Sequence, residues 1–196
     1  MSGHNKWTQI KHQKGAADQK RGQLFSKLLN SIAVAARPAP NPDFNPRLRA
    51  AILKAKDANV PQDNIERALK KALDKSDHLE ELILEAYGPG GIAILLEAIT
   101  DNKNRTVAEI KKILHDAGGK WAEAGRVTWA FSAEGGSLPD RQAGASGGEQ
   151  HASTERRWRA KFPQALSLDD SLKLKNLMRA LENHPDTQKV FTSASL

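Results

Sequence analysis

Residues 82–100, LILEAYGPGGIAILLEAIT, decide how the second half of the chain folds. Two apolar runs, 82–87 and 92–99, flank a segment of glycine and proline that is typical of a turn, Gly88-Pro89-Gly90-Gly91. This pattern predicts a β-hairpin. The second run is apolar on both faces, which indicates a strand in the middle of its sheet.

Further strands are predicted beyond this hairpin. They share alternating or β-branched residues and lie at residues 125–133, 155–162 and 187–194. Residues 134–154 contain many glycines and serines and little apolar content, so they are predicted to form a linker.

Two helices are predicted between these strands. The first begins in DNKNRTVAEI, where Asn104 or Thr106 can serve as N-cap, and the second begins at Asp169 or Asp170. The resulting order is β-β-α-β-linker-β-α-β. We expect an α+β protein whose ferredoxin-like-type α/β domain, an antiparallel sheet with two helices on one side, comprises residues 80–133 and 155–196.

The chain before residue 77 is predicted to be a basic arm followed by a three-helix domain. Phe25, Leu28 and Ile32 begin one apolar stripe at helical spacing. Asn45 before Pro46 predicts the start of a second helix, and Pro61 that of a third. Residues 1–16 show no sustained helical period, so we expect an arm that becomes ordered on binding.

Positive charge is concentrated in this first part of the chain. Residues 1–75 carry 15 Lys and Arg against 6 acidic residues, a net charge of +9, whereas the other 121 residues carry 15 against 17. Residues 1–27 alone reach +5, since only Asp18 opposes their cations, which are Lys6, Lys11, Lys14, Lys20, Arg21 and Lys27. Such asymmetry favours a polyanionic partner, although a solvated basic face is the simpler alternative.

Within the arm, Trp7 has two interpretations. It could stack on an unpaired base of a nucleic acid, or it could pack back on the helices. Arg157, Arg159 and Lys161 form a second, weaker basic patch. On an outward strand face they could follow a phosphate backbone, or they could protect a sheet edge from aggregation.

Catalytic and metal sites are not indicated. Gly144-Ala145-Ser146-Gly147-Gly148 matches G-x-S-x-G but lies in the predicted linker, where a nucleophile elbow cannot form. The six histidines do not cluster with carboxylates at ligand spacing on one element, and the chain has no cysteine. We expect no catalytic residue, metal or cofactor, and an enzyme using Ser146 is the competing class.

The sequence also limits where the protein acts. No apolar run approaches the ~18 residues of a membrane span, and no apolar segment follows the basic start as in a secretory signal. The absence of cysteine fits a reducing compartment. We expect a cytoplasmic protein with no membrane contact, and a monomer because no dimerisation seam is evident.

Four segments carry a family resemblance, in this order: GHNKWTQIKHQKGAADQKRGQLFSKL, NPRLRAAILKAKDANVPQDNIERALKK, YGPGGIAILLEAITDNKNRTVAEIKKIL and GGKWAEAGRVTWAF. They closely resemble the YebC/PmpR family, which includes the mitochondrial translational activator of cytochrome oxidase. The resemblance extends from residue 3 to about residue 133 and resumes more weakly after Phe162. It implies a helical N-terminal domain, an α/β domain and a third, inserted domain, in whose place this chain has only the short segment 134–154.

The resemblance also implies a function. Family members are assigned as DNA-binding transcriptional regulators and as ribosome-associated factors that contact large-subunit ribosomal RNA and ease stalls such as proline runs. It thus implies nucleic acid and the ribosome as partners, with ribosomal RNA favoured over DNA. Lys27 is a candidate from the charge pattern, and the positions that match the family are His4, Lys6, Trp7, Lys11, His12, Lys14, Lys20, Arg21, Arg47, Arg49, Asn64, Arg67, Asn102, Asn104 and Arg105.

The physical preference for RNA rests on two further expectations. We find no convincing helix-turn-helix pair in the sequence, and DNA bases are usually read by such a helix in the major groove. A flexible basic arm with an aromatic residue suits irregular RNA better. A protein-binding adaptor using an exposed sheet edge is a third class of function.

Overall fold

A computed structural model of the protein describes residues 3–73, 78–134 and 157–195, with side chains from Ala17 onward. Three helices come first: α1 (Gly3–Ala36), α2 (Pro46–Asp57) and α3 (Gln62–Leu73). An antiparallel α+β arrangement follows, as the sequence predicted. Its helices are α4 (Lys103–Asp116) and α5 (Leu168–Glu182), and its strands are β1 (Glu80–Tyr87), β2 (Ala93–Thr100), β3 (Lys120–Ala122), β4 (Phe131–Glu134), β5 (Arg157–Ala160) and β6 (Thr187–Thr192).

The hairpin predicted from residues 82–100 is confirmed. β1 and β2 pair antiparallel from Glu80 opposite Thr100 to Tyr87 opposite Ala93, with a short 3-10 turn between them. Gly90 lies in this turn with a φ of 71°, a conformation that a side chain makes costly. β2 is central, as expected from its two apolar faces, because the strand order is β3-β1-β2-β6.

Both faces of this sheet are covered. On one face, Ile94 and Leu96 of β2 pack against α4 and α5 through residues such as Ile110 and Leu177. On the opposite face, Leu95 packs against Phe131 and other residues of the ribbon formed by β4 and β5. The side chains of β2 alternate between these two cores, which explains the uninterrupted apolar run in the sequence.

The three N-terminal helices share a core of their own. Leu28 and Ile32 of α1 are buried with Leu48 of α2 and Ile65 of α3. Helix α1 also reaches the sheet, since its residues Ala33 and Val34 pack against Leu79 and Ile99. The C-terminal half of α1 is therefore held by both the helices and the sheet.

One expectation about the first residues is wrong. Residues 3–16, predicted to lack helical structure, belong to α1, which is 34 residues long. The segment contains no proline, and five of its fourteen residues are Lys or Gln, which favour helix. An apolar period reports a packed face, so its absence did not exclude a helix that continues from a packed segment.

The predicted strand at residues 125–133 is also corrected. Residues 128–130 form a 3-10 turn and only residues 131–134 are extended, pairing with β5 in a separate two-stranded sheet. The edge of the main sheet is instead taken by β3. The reason is that a side chain, the carboxylate of Glu85, accepts the amide protons of Gly125, Val127 and Thr128.

The N-cap residues predicted from the sequence agree with the structure less well than the helices themselves do. Asn45 is confirmed as the N-cap of α2, its side chain accepting from the amide of Leu48. The N-cap of α4 is Asn102 rather than Asn104 or Thr106, and that of α5 is Ser167 rather than an aspartate. The predicted linker at 134–154 lies outside the described residues, apart from Glu134.

Asn45 provides a test of how the helical region is held together. Its side chain caps α2 and also donates to the carbonyls of Ala35 (2.6 Å) and Ala39 (2.7 Å), which joins α2 to the end of α1. We expect Asn45→Ala to lower the free energy of unfolding by about 2 kcal/mol. Asn45→Ser should cost less, because serine keeps a capping oxygen but is too short for the other two bonds.

Urea denaturation followed by circular dichroism measures this effect. Asn41→Ala is the matched control, since Asn41 is an exposed residue of the same loop whose side chain accepts from the amide of Asp43. Equal losses for the Asn41 and Asn45 alanine variants would contradict the proposed joining role of Asn45.

Candidate nucleic-acid interface

The N-terminal part of α1 projects from the rest of the protein. Every residue from Ala17 to Gly22 is exposed, and packing against α2 and α3 begins with Phe25 and Leu28. Six consecutive residues cover more than one helical turn, so no face of this segment packs on the protein. From residue 16 back to Gly3 the helix continues for a further ~20 Å, at 1.5 Å per residue.

Most of the predicted arm contacts lie on this helix. Lys20 and Arg21 are exposed, and the guanidinium of Arg21 lies 5.2 Å from the ring centroid of Phe25. The other predicted positions fall within the same helical segment: His4, Lys6, Trp7, Lys11, His12 and Lys14. In the structure, these residues therefore lie along one helix and not on the flexible arm that the sequence predicted.

Lys27 differs from the other arm cations. Its ammonium donates to the carbonyl of Glu182, 2.5 Å away at the end of α5, and its side chain is half-buried. Burial lowers the pKa of Lys27, while the charges of Glu182 and Asp186 oppose that shift. Lys27, a candidate contact from the charge pattern, therefore joins α1 to the end of α5.

The predicted contacts of α2 and α3 are exposed but already bonded. Arg47 forms an ion pair with Glu81 of β1. Arg49 donates to the carbonyl of Asp43 at 3.3 Å, and Arg67 donates to that of Asp63 at 3.3 Å and to the Asn64 side chain. Exposed pairs of this kind are weak, so these arginines can exchange their partners for phosphates at small cost.

Arg105 belongs to a different structure, a polar network at the end of the sheet. Its guanidinium donates to Asp186 and to Asp101, both at 2.9 Å, and the Asp186 carboxylate raises its pKa. Asp186 also accepts from the hydroxyl of Thr106 at 2.6 Å. Asn102 serves as N-cap of α4 and Asn104 is exposed on its first turn, so these two residues lie at the start of α4 and not on the projecting helix.

A histidine and two carboxylates also meet beside this network. Ligand atoms of Glu109, His184 and Asp186 lie within 4.8 Å of one another. The amide of Asp186 donates to Nδ1 of His184, so the ring proton lies on Nε2 and is donated to Glu109 at 2.8 Å. Because the Arg105 cation already occupies Asp186, a metal ion there would meet a like charge, and we assign the cluster to structure.

A second buried carboxylate was not anticipated from the sequence. Glu85 of β1 is 5% exposed and accepts hydrogen bonds from the amides of Gly125 (2.6 Å), Val127 (2.5 Å) and Thr128 (3.0 Å), and from the Thr128 hydroxyl (2.5 Å). Burial alone would raise the pKa of Glu85, but these four bonds outweigh burial and lower it. The carboxylate fixes the loop before β4.

Comparison with known proteins identifies the family. Residues 5–75 match the TACO1/YebC protein N-terminal domain, and residues 79–139 match the TACO1/YebC second and third domain. The chain belongs to the TACO1/YebC family. The resemblance drawn from the four sequence segments is thereby confirmed.

Individual TACO1/YebC relatives add names and a solved structure. Probable transcriptional regulatory proteins of Trichlorobacter lovleyi and Geobacter sulfurreducens are each 53% identical over 138 residues, which cover 69% of this chain and 56% of the relative. The crystal structure of a conserved hypothetical protein, Aq1575 from Aquifex aeolicus, matches with a TM-score of 0.77 and 31% identity, covering 91% of each chain. The chain spans about half the length of the curated relatives it matches.

The structure separates the predicted contacts of this TACO1/YebC chain into three groups. The arm cations up to Arg21 share the projecting helix, the arginines of α2 and α3 lie on exposed surface, and Lys27 and Arg105 both lie near Asp186.

Among the described residues, no helix is both long and apolar enough to cross a membrane.

Proposed function

We propose that this protein is a non-enzymatic, nucleic-acid-binding regulator of gene expression. In this proposal it acts on the ribosome as a cytoplasmic, monomeric translation factor that contacts large-subunit ribosomal RNA and eases stalls such as proline runs. The observation that carries the proposal is the projecting basic segment of α1. The TACO1/YebC family and the regulatory names of the relatives support a role in gene expression.

The physical basis is electrostatic. Lysines and arginines attract phosphates without regard to sequence, because each contact releases counterions from the nucleic acid. A helix free on all sides for more than a turn can enter a groove or a crevice between RNA helices, where a packed helix would be blocked. The exposed arginines of α2 lie on the helix that packs beside α1 and extend the positive surface.

A DNA-binding transcriptional regulator is the second candidate, and two observations favour it. The curated relatives are named probable transcriptional regulatory proteins. In addition, α2 and α3 are joined by only four residues, the turn length of a helix-turn-helix, and Gln62 and Arg67 are exposed on α3. The sequence had shown no convincing pair of this kind. Since α1 is a helix, the argument for RNA from a flexible arm is also weaker.

Ribosome co-sedimentation and promoter-DNA retardation, run at the same salt concentration, separate the two candidates. The proposal expects the protein to sediment with large subunits and to protect ribosomal RNA from chemical modification. Retardation of a defined promoter, with no binding to large subunits, would establish the second candidate and overturn the first.

The arm predicts a steep salt dependence. With about five phosphate contacts, the slope of log K against log salt should be about −3.5 to −4.5. In the variant Lys11→Gln, Lys14→Gln, Lys20→Gln the slope should flatten by about 2 or more, because three contacts are lost. Binding to large subunits, measured by filtration at several salt concentrations, gives the slope.

A matched control holds the total charge constant. Lys103, Lys112 and Lys175 are exposed lysines of α4 and α5, and their triple glutamine variant carries the same net charge as the arm variant. It should keep the slope of the unmodified protein. Equal slopes for the two triple variants would show that net charge, and not the projecting helix, governs binding.

A further inference from the structure

Two large aromatic side chains lie exposed together on the opposite part of the chain from α1. Trp129 and Phe162 are each 61% exposed, with ring centroids 6.2 Å apart and planes tilted by 44°. They precede β4 and follow β5, respectively. We propose that this pair is a stacking platform for unpaired bases of single-stranded RNA, an inference that rests on the proposed function and assigns it a second contact surface.

The Trp129 ring is held in place before any ligand arrives. Its indole Nε1 donates to the carbonyl of Arg126 at 2.8 Å, and the hydroxyl of Tyr87 donates to the same carbonyl at 3.0 Å. The indole's one hydrogen-bond donor is thus satisfied internally, which leaves its ring surface for contact. A ring that is already oriented loses little conformational entropy when a base stacks on it.

The loop beneath the ring is fixed as well. The amides of Gly125, Val127 and Thr128 donate to the buried carboxylate of Glu85, as described above. The two aromatic segments are also tied to each other, since the amide of Lys161 donates to the carbonyl of Ala130 at 2.9 Å. Because hydrogen bonds fix both segments that carry the rings, the geometry of the aromatic pair does not depend on a bound partner.

Exposed cations lie on the two segments that carry this aromatic pair. Arg126 is three residues before Trp129, Lys161 directly precedes Phe162, and Arg157 is on β5; no ion pair is found for these three among the described residues. The guanidinium of Arg159, also exposed on β5, lies 3.5 Å from the carboxylate of Glu134. Cations beside an exposed ring are the combination that binds a phosphate backbone and its unstacked bases.

The chemistry selects single-stranded RNA over the alternatives. A duplex keeps its bases stacked inside, so it offers phosphates to the cations but nothing to the rings. An apolar protein groove would use the rings but would leave Arg126, Arg157 and Lys161 to be desolvated without partners. An unpaired strand satisfies both parts of the surface, since its phosphates meet the cations and every base has a face that can stack.

The test uses the whole chain with a fluorescein-labelled ten-nucleotide oligouridylate and a duplex RNA of the same length. We expect Trp129→Ala and Phe162→Ala each to weaken binding of the single strand by roughly ten-fold, within the range measured for loss of one stacked base. Duplex binding should change by less than about two-fold in both, because phosphate contacts remain. Trp129→Phe should restore most of the affinity, since it keeps an aromatic ring.

Phe44→Ala is the matched control. Phe44 is 81% exposed in the loop before α2, so its removal deletes an even more exposed aromatic ring from another part of the surface. If the Trp129 and Phe162 variants bind the single strand as tightly as the Phe44 variant, the stacking platform is refuted. Loss of single-strand and duplex binding to the same extent also refutes it, because stacking would then contribute nothing specific.

Failure of this inference is distinguishable from failure of the proposed function. The arm variant at Lys11, Lys14 and Lys20 tests ribosome binding without altering the aromatic pair. If that variant loses ribosome binding while the aromatic variants keep full single-strand affinity, only the platform is wrong. If the unmodified protein does not bind ribosomes yet depends on Trp129 for oligouridylate, the platform stands and the ribosomal role fails.

Discussion

Replacing Glu85 with alanine is expected to lower the free energy of unfolding by about 3–5 kcal/mol at neutral pH. The side chain is 5% exposed and accepts three backbone amides and one hydroxyl. Its loss leaves these donors without the acceptor around which the loop is built, and each buried unsatisfied donor costs about 1–3 kcal/mol. Urea unfolding followed by circular dichroism measures the difference.

Two further variants at this strand show why an acceptor is required. Glu85→Gln preserves the shape, but its amide nitrogen is itself a donor and would face donors of the loop. We therefore expect it to be destabilised nearly as strongly as the alanine variant. Glu80→Ala is the control, because Glu80 is an exposed acid of the same strand and should change stability by less than about 0.5 kcal/mol. A stable Glu85→Gln variant would mean that the loop does not depend on the carboxylate.

The Glu85 loop also shows where sequence reasoning stopped. Periodicity identified β1 and β2 correctly because their side chains alternate between two cores. It assigned residues 125–133 to a strand for their β-branched and aromatic content. The carboxylate that takes the loop amides lies some 40 positions earlier, and a single acid in LILEAY looks like an ordinary solvent-facing residue.

The candidate interface was predictable in composition but not in shape. The cations of residues 6–21 are visible in any charge count, whereas their placement on a projecting helix depends on α1 being anchored by Leu28 and Ile32 further along. In the sequence, Lys27 does not differ from the other arm cations, and only the structure shows that it contacts the end of α5. Trp129 was noticed only as part of a strand, since nothing in its neighbours signals that Phe162 lies beside it.

These anchors connect the two parts of the molecule. Besides Lys27, Ser31 of α1 donates to the Gln188 side chain at 3.1 Å and Arg37 donates to the Leu79 carbonyl. The Arg47 ion pair with Glu81 adds a further link from α2 to β1. The helix that carries the basic segment is therefore attached to the sheet and to α5 as well as to α2 and α3.

Acidification is expected to remove the stabilising effect of Asp186. Burial would raise the pKa of Asp186, but hydrogen bonds from Thr106 and Arg105 and the Arg105 charge lower it below the ordinary value of about 3.9. An acid with a lowered folded-state pKa stabilises fully above its unfolded pKa and loses that effect as the pH falls through its folded pKa. Asp186→Asn should therefore cost about 2–3 kcal/mol at pH 7, and this difference should shrink below about pH 4.

Asp101→Asn is the matched control for this network, because Asp101 contacts the same guanidinium at the same 2.9 Å but its side chain is 62% exposed. An exposed pair is screened by solvent, so the variant should lose less than about 1 kcal/mol at pH 7. Unfolding free energies measured from pH 7 to pH 3 decide the matter. Equal costs for the two variants, or an Asp186→Asn cost that does not change with pH, would show that Arg105 gains nothing from burial of its partner and that the network does not secure α4 to the turn before β6.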